Sequence, residues 1–226
     1  MAAFRASRIL CVLLPCFLAI ARLAGASPLE TGLEALRRGI EGDAAALREA
    51  VALLQAACRE APGEALPRAW LGAALVWRAR DVPLLRKRAQ AEAGFRELDA
   101  AVAMAPEDAE VRLIRAETCS VLPQMAGRHE IVAGDFAWLV ARANAAEAAL
   151  PDTIRRRIFY RAGAFALRER REAEAVRLLE QALATPGPEP EDALLQSMLA
   201  LPAGRFTPLG HGHAEADEES APAPGP

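Results

Sequence analysis

Lysine is nearly missing. Of 27 basic side chains in 226 residues, only Lys87 is a lysine and the rest are arginines. Acids number 30, so the formal net charge is −3. That balance lacks the basic excess of a nucleic-acid binder. Histidine is almost as scarce. There are three, and two of them, His211 and His213, fall in a Gly-His-Gly-His stretch near the end. Tyrosine occurs once, and aromatics make up 5% of the chain. Gly-x-Ser-x-Gly, His-Glu-x-x-His, Cys-x-x-Cys and the phosphate-binding P-loop are all missing. Nothing therefore nominates a catalytic residue or a metal ligand set, and no cofactor is expected. β-branched residues are sparse and nowhere alternate with polar ones long enough for a strand. What abounds is alanine, 53 residues, with leucine, arginine and glutamate beside it. These are strong helix formers, so the expected architecture is helix packed on helix.

The two ends read as lying outside the fold. Arg5 and Arg8 precede an apolar run from Ile9 to Ile20, and Ala24-Gly25-Ala26 is a small-x-small cleavage site. This is the layout of a secretory signal peptide over residues 1–26. The run is short of the ~20 apolar residues that span a bilayer, so no stable membrane span is expected after cleavage. Cys16 raises the question of a lipid anchor. Pro15 just before it, and the apolar stretch continuing from Phe17, argue against one. Cleavage would remove three arginines and no acid, leaving 24 basic and 30 acidic residues. The Arg-over-Lys and Ala bias suits a GC-rich bacterial genome, so the expected location is periplasmic or secreted. At the other end, residues 204–226 lose all apolar periodicity and end in Ala-Pro-Ala-Pro-Gly-Pro. Such a segment buries too little to offset its ordering entropy and is expected as a disordered acidic tail. Two imidazoles there would make an incomplete metal site.

Between the ends, residues 27–203 form the expected folded domain. Apolar spacing of three and four, broken by Pro and Gly, predicts helices over 30–41, 43–61, 66–80, 83–105, 108–121, 129–149, 152–169, 171–185 and 190–200. Asp43 and the acids of Pro106-Glu107-Asp108 stand where helix N-termini favour them. Pro83 is expected in a first helical turn. His129, the one histidine inside the predicted fold, falls at a helix start and is expected on the surface or as a cap.

A pattern recurs at offsets 0, 4, 7 and 12. It reads Ala50, Leu54, Ala57, Pro62, then Gly94, Leu98, Ala101, Pro106, then Ala175, Leu179, Ala182 with Pro186 and Pro188 straddling the last place. Upstream stand Leu71-Gly72, Arg115-Ala116 and Phe159…Ala162-Gly163. Small residues at these points let two helices approach closely while Leu fills the groove. The pattern resembles the tetratricopeptide repeat, a 34-residue helix–turn–helix unit. The resemblance covers residues 30–188 and is degenerate. Gly163 to Ala175 has the 12-residue spacing of a close-packed pair, whereas Gly72 to Gly94 spans 22, an insertion of about ten. The third unit has no clean second-helix match, and residues 122–128 form an extra loop.

The resemblance implies an all-α, right-handed superhelix of about four hairpins, closed by 190–200 as a capping helix. Stacked hairpins would place Cys58 and Cys119 two helices apart, at ~10 Å per helix. Bridged Cα atoms lie within ~7 Å, so both thiols are expected unbridged and largely buried. By family position, the concave face would carry Ala73, Val76 and Trp77, then Leu113, Glu117 and Val121, then Arg157, Tyr160, Ala164 and Arg168. Trp, Tyr and Arg are the types enriched at binding hot spots, although Trp77 and Tyr160 would serve equally as packing between helices. Arg112, Arg115 and Arg128 surround the extra loop and form a second candidate surface, with a solvated face as the alternative. Two functions follow as expectations. One is a non-enzymatic periplasmic scaffold that binds a protein or peptide. The other is an accessory subunit of an uptake system that holds a small anion in an Arg-lined cavity.

Overall fold

The computed structural model describes residues 26–122, 127–145 and 149–187. Every regular element among them is helical. The α-helices are α1 (Pro28–Ile40), α2 (Ala44–Glu60), α3 (Ala65–Arg78), α4 (Leu84–Met104), α5 (Ala109–Ser120), α6 (His129–Asn144), α7 (Asp152–Arg168) and α8 (Glu172–Ala184), with a 3₁₀ turn at Ala79–Asp81. The chain divides into two compact units, one up to Ala148 and one from Ala149. The leader, the 190–200 helix and the tail lie outside the described residues.

Three of the eight described α-helix starts carry a side-chain cap. Ser27 and Glu30 form a reciprocal capping box on α1, each side chain holding the other's backbone N–H at 3.1 and 2.9 Å. Asp43 accepts from Ala45 and Ala46, both at 2.9 Å. Asp108 does the same for Glu110 and Val111 at 2.8 and 3.2 Å. Pro83 stands one place before its expected position, as the N-cap of α4. The expected 129–149 helix ends early, at Asn144, a residue type whose side chain competes with the helical backbone.

In the first unit the helices form the hairpins α1/α2, α3/α4 and α5/α6. α2 also packs on α3, α3 on α5 and α4 on α5. The core of the first hairpin holds Ala35, Leu36, Leu47, Ala50, Val51 and Leu54, joined by Leu71 and Ala74 of α3. The second unit is the hairpin α7/α8.

One contact recurs in three hairpins. A methyl group on Gly32 would lie 3.0 Å from Leu54 Cγ, one on Gly72 would lie 2.7 Å from Leu98 Cγ, and one on Gly163 would lie 2.9 Å from Leu179 Cγ. Each leucine is the second residue of the offset pattern, and each is at most 1% exposed. The small residues Ala50, Ala57, Ala101, Ala175 and Ala182 are also buried. The α5/α6 hairpin lacks this device: α5 has no glycine, and Gly134 of α6 meets nothing within 4 Å.

Two hairpin connections are also alike. After α1, Asp43 N–H donates to Arg38 O (3.1 Å) and Gly42 N–H to Gly39 O (3.2 Å). After α7, Arg171 N–H donates to Ala166 O (2.9 Å) and Arg170 N–H to Leu167 O (3.0 Å). Both are Schellman turns, which need a residue of positive φ. Gly42 fills that place at 123° and Arg170 at 57°.

Candidate interaction site

The residues most concentrated in charge meet where α4, α5 and α6 join. Asp135 of α6 is 2% exposed. Its carboxylate accepts from Arg112 Nη1 at 2.9 Å, Arg115 Nε at 2.7 Å and Arg115 Nη2 at 2.8 Å. The Arg115 contact is bidentate, the strong form of such a pair. Arg115 Nη1 turns the other way, to Asp99 Oδ1 of α4 at 3.1 Å. Arg128, the residue before α6, reaches Asp99 Oδ2 with its Nη1 at 2.9 Å. Two rings back the cluster. Arg112 lies 4.6 Å from the Trp138 ring centre, and Arg128 lies 4.9 Å from that of Phe95. Arg112 Nε is tied at 2.6 Å to the carbonyl of Pro106.

Three guanidiniums thus share two carboxylates, and the net charge of the cluster is +1. Burial pulls the Arg115 pKa down, but Asp135 and Asp99 more than restore it. Burial likewise pushes Asp99 up, and the hydrogen bonds and charges of Arg128 and Arg115 outweigh it, holding this carboxyl below its usual range. The Cys119 thiol sits beside Arg128; burial dominates there and raises the thiol pKa. Among the described residues, the buried Arg128 Nε has no acceptor at hydrogen-bond distance.

The arginines nominated from the sequence are therefore brought together, by carboxylates the sequence did not nominate. One signal for Asp135 was available. It sits in the apolar stripe Val132, Phe136, Leu139, Ala143, where an acid must find a cation. Arg156 was missed in the same way. It lies in the α7 stripe with Phe159, Gly163 and Ala166, is 2% exposed, and donates to Thr185 O at 2.7 Å and Ala182 O at 3.3 Å at the end of α8. A cation at a helix C-terminus is favoured by the exposed carbonyls.

The other nominated positions are dispersed. Trp77 is half-buried against the core of the first hairpin. Glu117 is half-buried on α5 and Val121 is exposed. Ala73, Val76 and Leu113, expected on an open face, are instead at most 5% exposed, because α3 and α5 are packed on several sides. In the second unit Arg157, Tyr160, Ala164 and Arg168 share one half-buried stripe of α7. The Arg161 guanidinium lies 5.2 Å from the Tyr160 ring centre, and that of Arg168 lies 5.8 Å from the Phe165 ring centre. Burial lowers the Arg168 pKa. His129 is the first residue of α6 and is half-buried. Cys119 is buried and Cys58 half-buried, both as free thiols.

Among the described residues no group of His, Cys, Asp and Glu could hold a metal ion, and no helix is long and apolar enough to cross a membrane. The α4–α5–α6 cluster can join three helices by charge, and each of its three guanidiniums already faces a carboxylate. No family model, no curated protein and no solved structure matches the chain.

Proposed function

We propose that the chain is a non-enzymatic, tetratricopeptide-like helical-repeat scaffold of the bacterial periplasm that binds a polypeptide. The observation that supports this reading is the Gly-over-Leu contact repeated in three hairpins, together with the shared Schellman connection. A hairpin built this way cannot close its own core and needs neighbours stacked against it. Stacking leaves side chains of the first helices for recognition. Glu117 and the partly exposed edge of Trp77 would serve in the first unit, and Arg157, Tyr160 and Arg168 in the second. These two stripes are tested separately.

The alternative, a small anion held by Arg112, Arg115 and Arg128, would have to displace Asp99 or Asp135 from guanidiniums at 2.7–3.1 Å. An anion would gain little by that exchange, so the polypeptide reading is preferred. Photo-crosslinking residues at positions 117 and 160, followed by mass spectrometry of the native cell envelope, test it. A defined protein partner is expected, lost with Tyr160→Ala or Glu117→Ala. Unchanged partners in both variants would count against it.

A further inference from the structure

The α3/α4 hairpin carries the insertion of about ten residues, and its extra length lies at the start of α4. Gln90 donates from its side chain to Leu75 O at 3.3 Å. Residues 83–89, just before it, are all exposed. Leu84 is 80% and Leu85 97% exposed, well above any other large apolar side chain among the described residues. Arg86, Lys87 and Arg88 follow directly. Residues 78–88 carry five cations and one acid, Asp81, in a chain where acids outnumber bases. Arg88 pairs with Glu92 at 2.8 Å. Among the described residues, Arg86 and Lys87 have no ion-pair partner.

Among the described residues, packing does not account for these two leucines, which at 80% and 97% exposed cover no core. Helical side chains tilt toward the N-terminus, so in a first turn both project past the end of α4. Adjacent residues are about 100° apart around a helix. They suit no single groove wall, but both can enter a fluid layer. An apolar anchor flanked by cations is the pair of signals that reversible attachment to an anionic bilayer needs.

We propose that the tip of the α3/α4 hairpin docks on an anionic lipid surface. Leu84 and Leu85 enter the boundary between headgroups and acyl chains, and Arg86, Lys87 and Arg88 lie on the lipid phosphates. Attachment is peripheral and leaves the rest of the first unit in water. This proposal is independent of the polypeptide reading.

Vesicles of phosphatidylcholine with and without phosphatidylglycerol test it, using the full chain. Sedimentation with the phosphatidylglycerol vesicles is expected, weakening as salt rises. Leu84→Ser with Leu85→Ser should weaken binding about tenfold. Arg86→Gln with Lys87→Gln should weaken it by about tenfold or more and flatten the salt dependence. Hydrogen exchange should slow in residues 83–90 on these vesicles, a local readout that binding through the apolar leader would leave unchanged. All four side chains are exposed, so helix content and melting temperature should not change. Binding by both double variants as strong as that of the unaltered chain, no sedimentation of the unaltered chain, or unchanged exchange at 83–90 would each overturn the proposal. Loss of a crosslinked protein in the leucine variant, without vesicle binding by the unaltered chain, would assign the tip to a protein instead.

Discussion

Gly72 and Gly94 face each other backbone to backbone. A methyl group on Gly94 would fall 2.6 Å from the carbonyl oxygen of Gly72, and one on Gly72 would fall 2.9 Å from that of Gly94. Neither neighbour is the flexible end of a side chain, so the helices themselves would have to move. Gly72→Ala and Gly94→Ala should each cost about 2–3 kcal/mol in urea unfolding. Gly134→Ala is the control. It meets nothing within 4 Å inside a helix, and should raise stability by about 0.5–1 kcal/mol. Equal effects at all three sites would contradict the close crossing.

The two Schellman turns make an opposite prediction. Arg170 holds φ at 57° without being a glycine. Arg170→Gly should stabilise the second unit by about 1 kcal/mol, whereas Gly42→Ala should destabilise the first by a similar amount. Thermal melts of the two variants should therefore shift in opposite directions.

Asp135 is the buried member of the charge cluster. Asp135→Ala leaves Arg112 and Arg115 facing an apolar gap, and should cost about 3 kcal/mol. Arg88→Ala, at a side chain 91% exposed, should change stability by less than about 0.5 kcal/mol. Urea midpoints of the pair measure the contrast. A small effect at Asp135 would mean that the cluster does not hold α5 to α6.

Asp99 gives the cluster a pH dependence. Its pKa in the folded chain lies below that in the unfolded chain. Its contribution is therefore complete above the ordinary carboxylate range and fades as pH falls through the folded value. Asp99→Asn should lower stability at pH 7, and the difference should shrink as pH falls below the ordinary carboxylate range. Unfolding midpoints measured across that range should converge at the acid end.

The two thiols should differ in reactivity. Burial raises the pKa of both, and thiolate is the reactive form. At pH 8, Cys58 should alkylate slowly and Cys119 hardly at all, with both modified once urea unfolds the chain. Peptide mass mapping after iodoacetamide distinguishes them. Rapid native labelling of Cys119 would show that the α5/α6 junction opens readily.

Helix positions and several caps could be read along the chain, because each depends on residues a few places apart. Asp43 and Asp108 act on N–H groups two and three residues away. The pairing of Gly163 with the α8 pattern was legible for the same reason: its spacing repeats and needs only sequence order. The role of Arg112, Arg115 and Arg128 was not. Their carboxylate partners stand 16, 20, 23 and 29 residues away. No local rule distinguishes a guanidinium facing Asp135 from one facing water.

Burial was split the same way. Ala73, Val76 and Leu113 stand where the repeat resemblance expects an open face, yet α3 lies among α1, α2, α4 and α5, which covers it. The inserted residues showed up in the sequence only as extra length. Packing decided that their leucines stand bare at the tip of α4. Local hydrogen bonding and periodicity determine where helices begin and end. Which polar groups face one another, and which apolar ones face water, depends on the approach of distant segments, and only the folded chain brings those together.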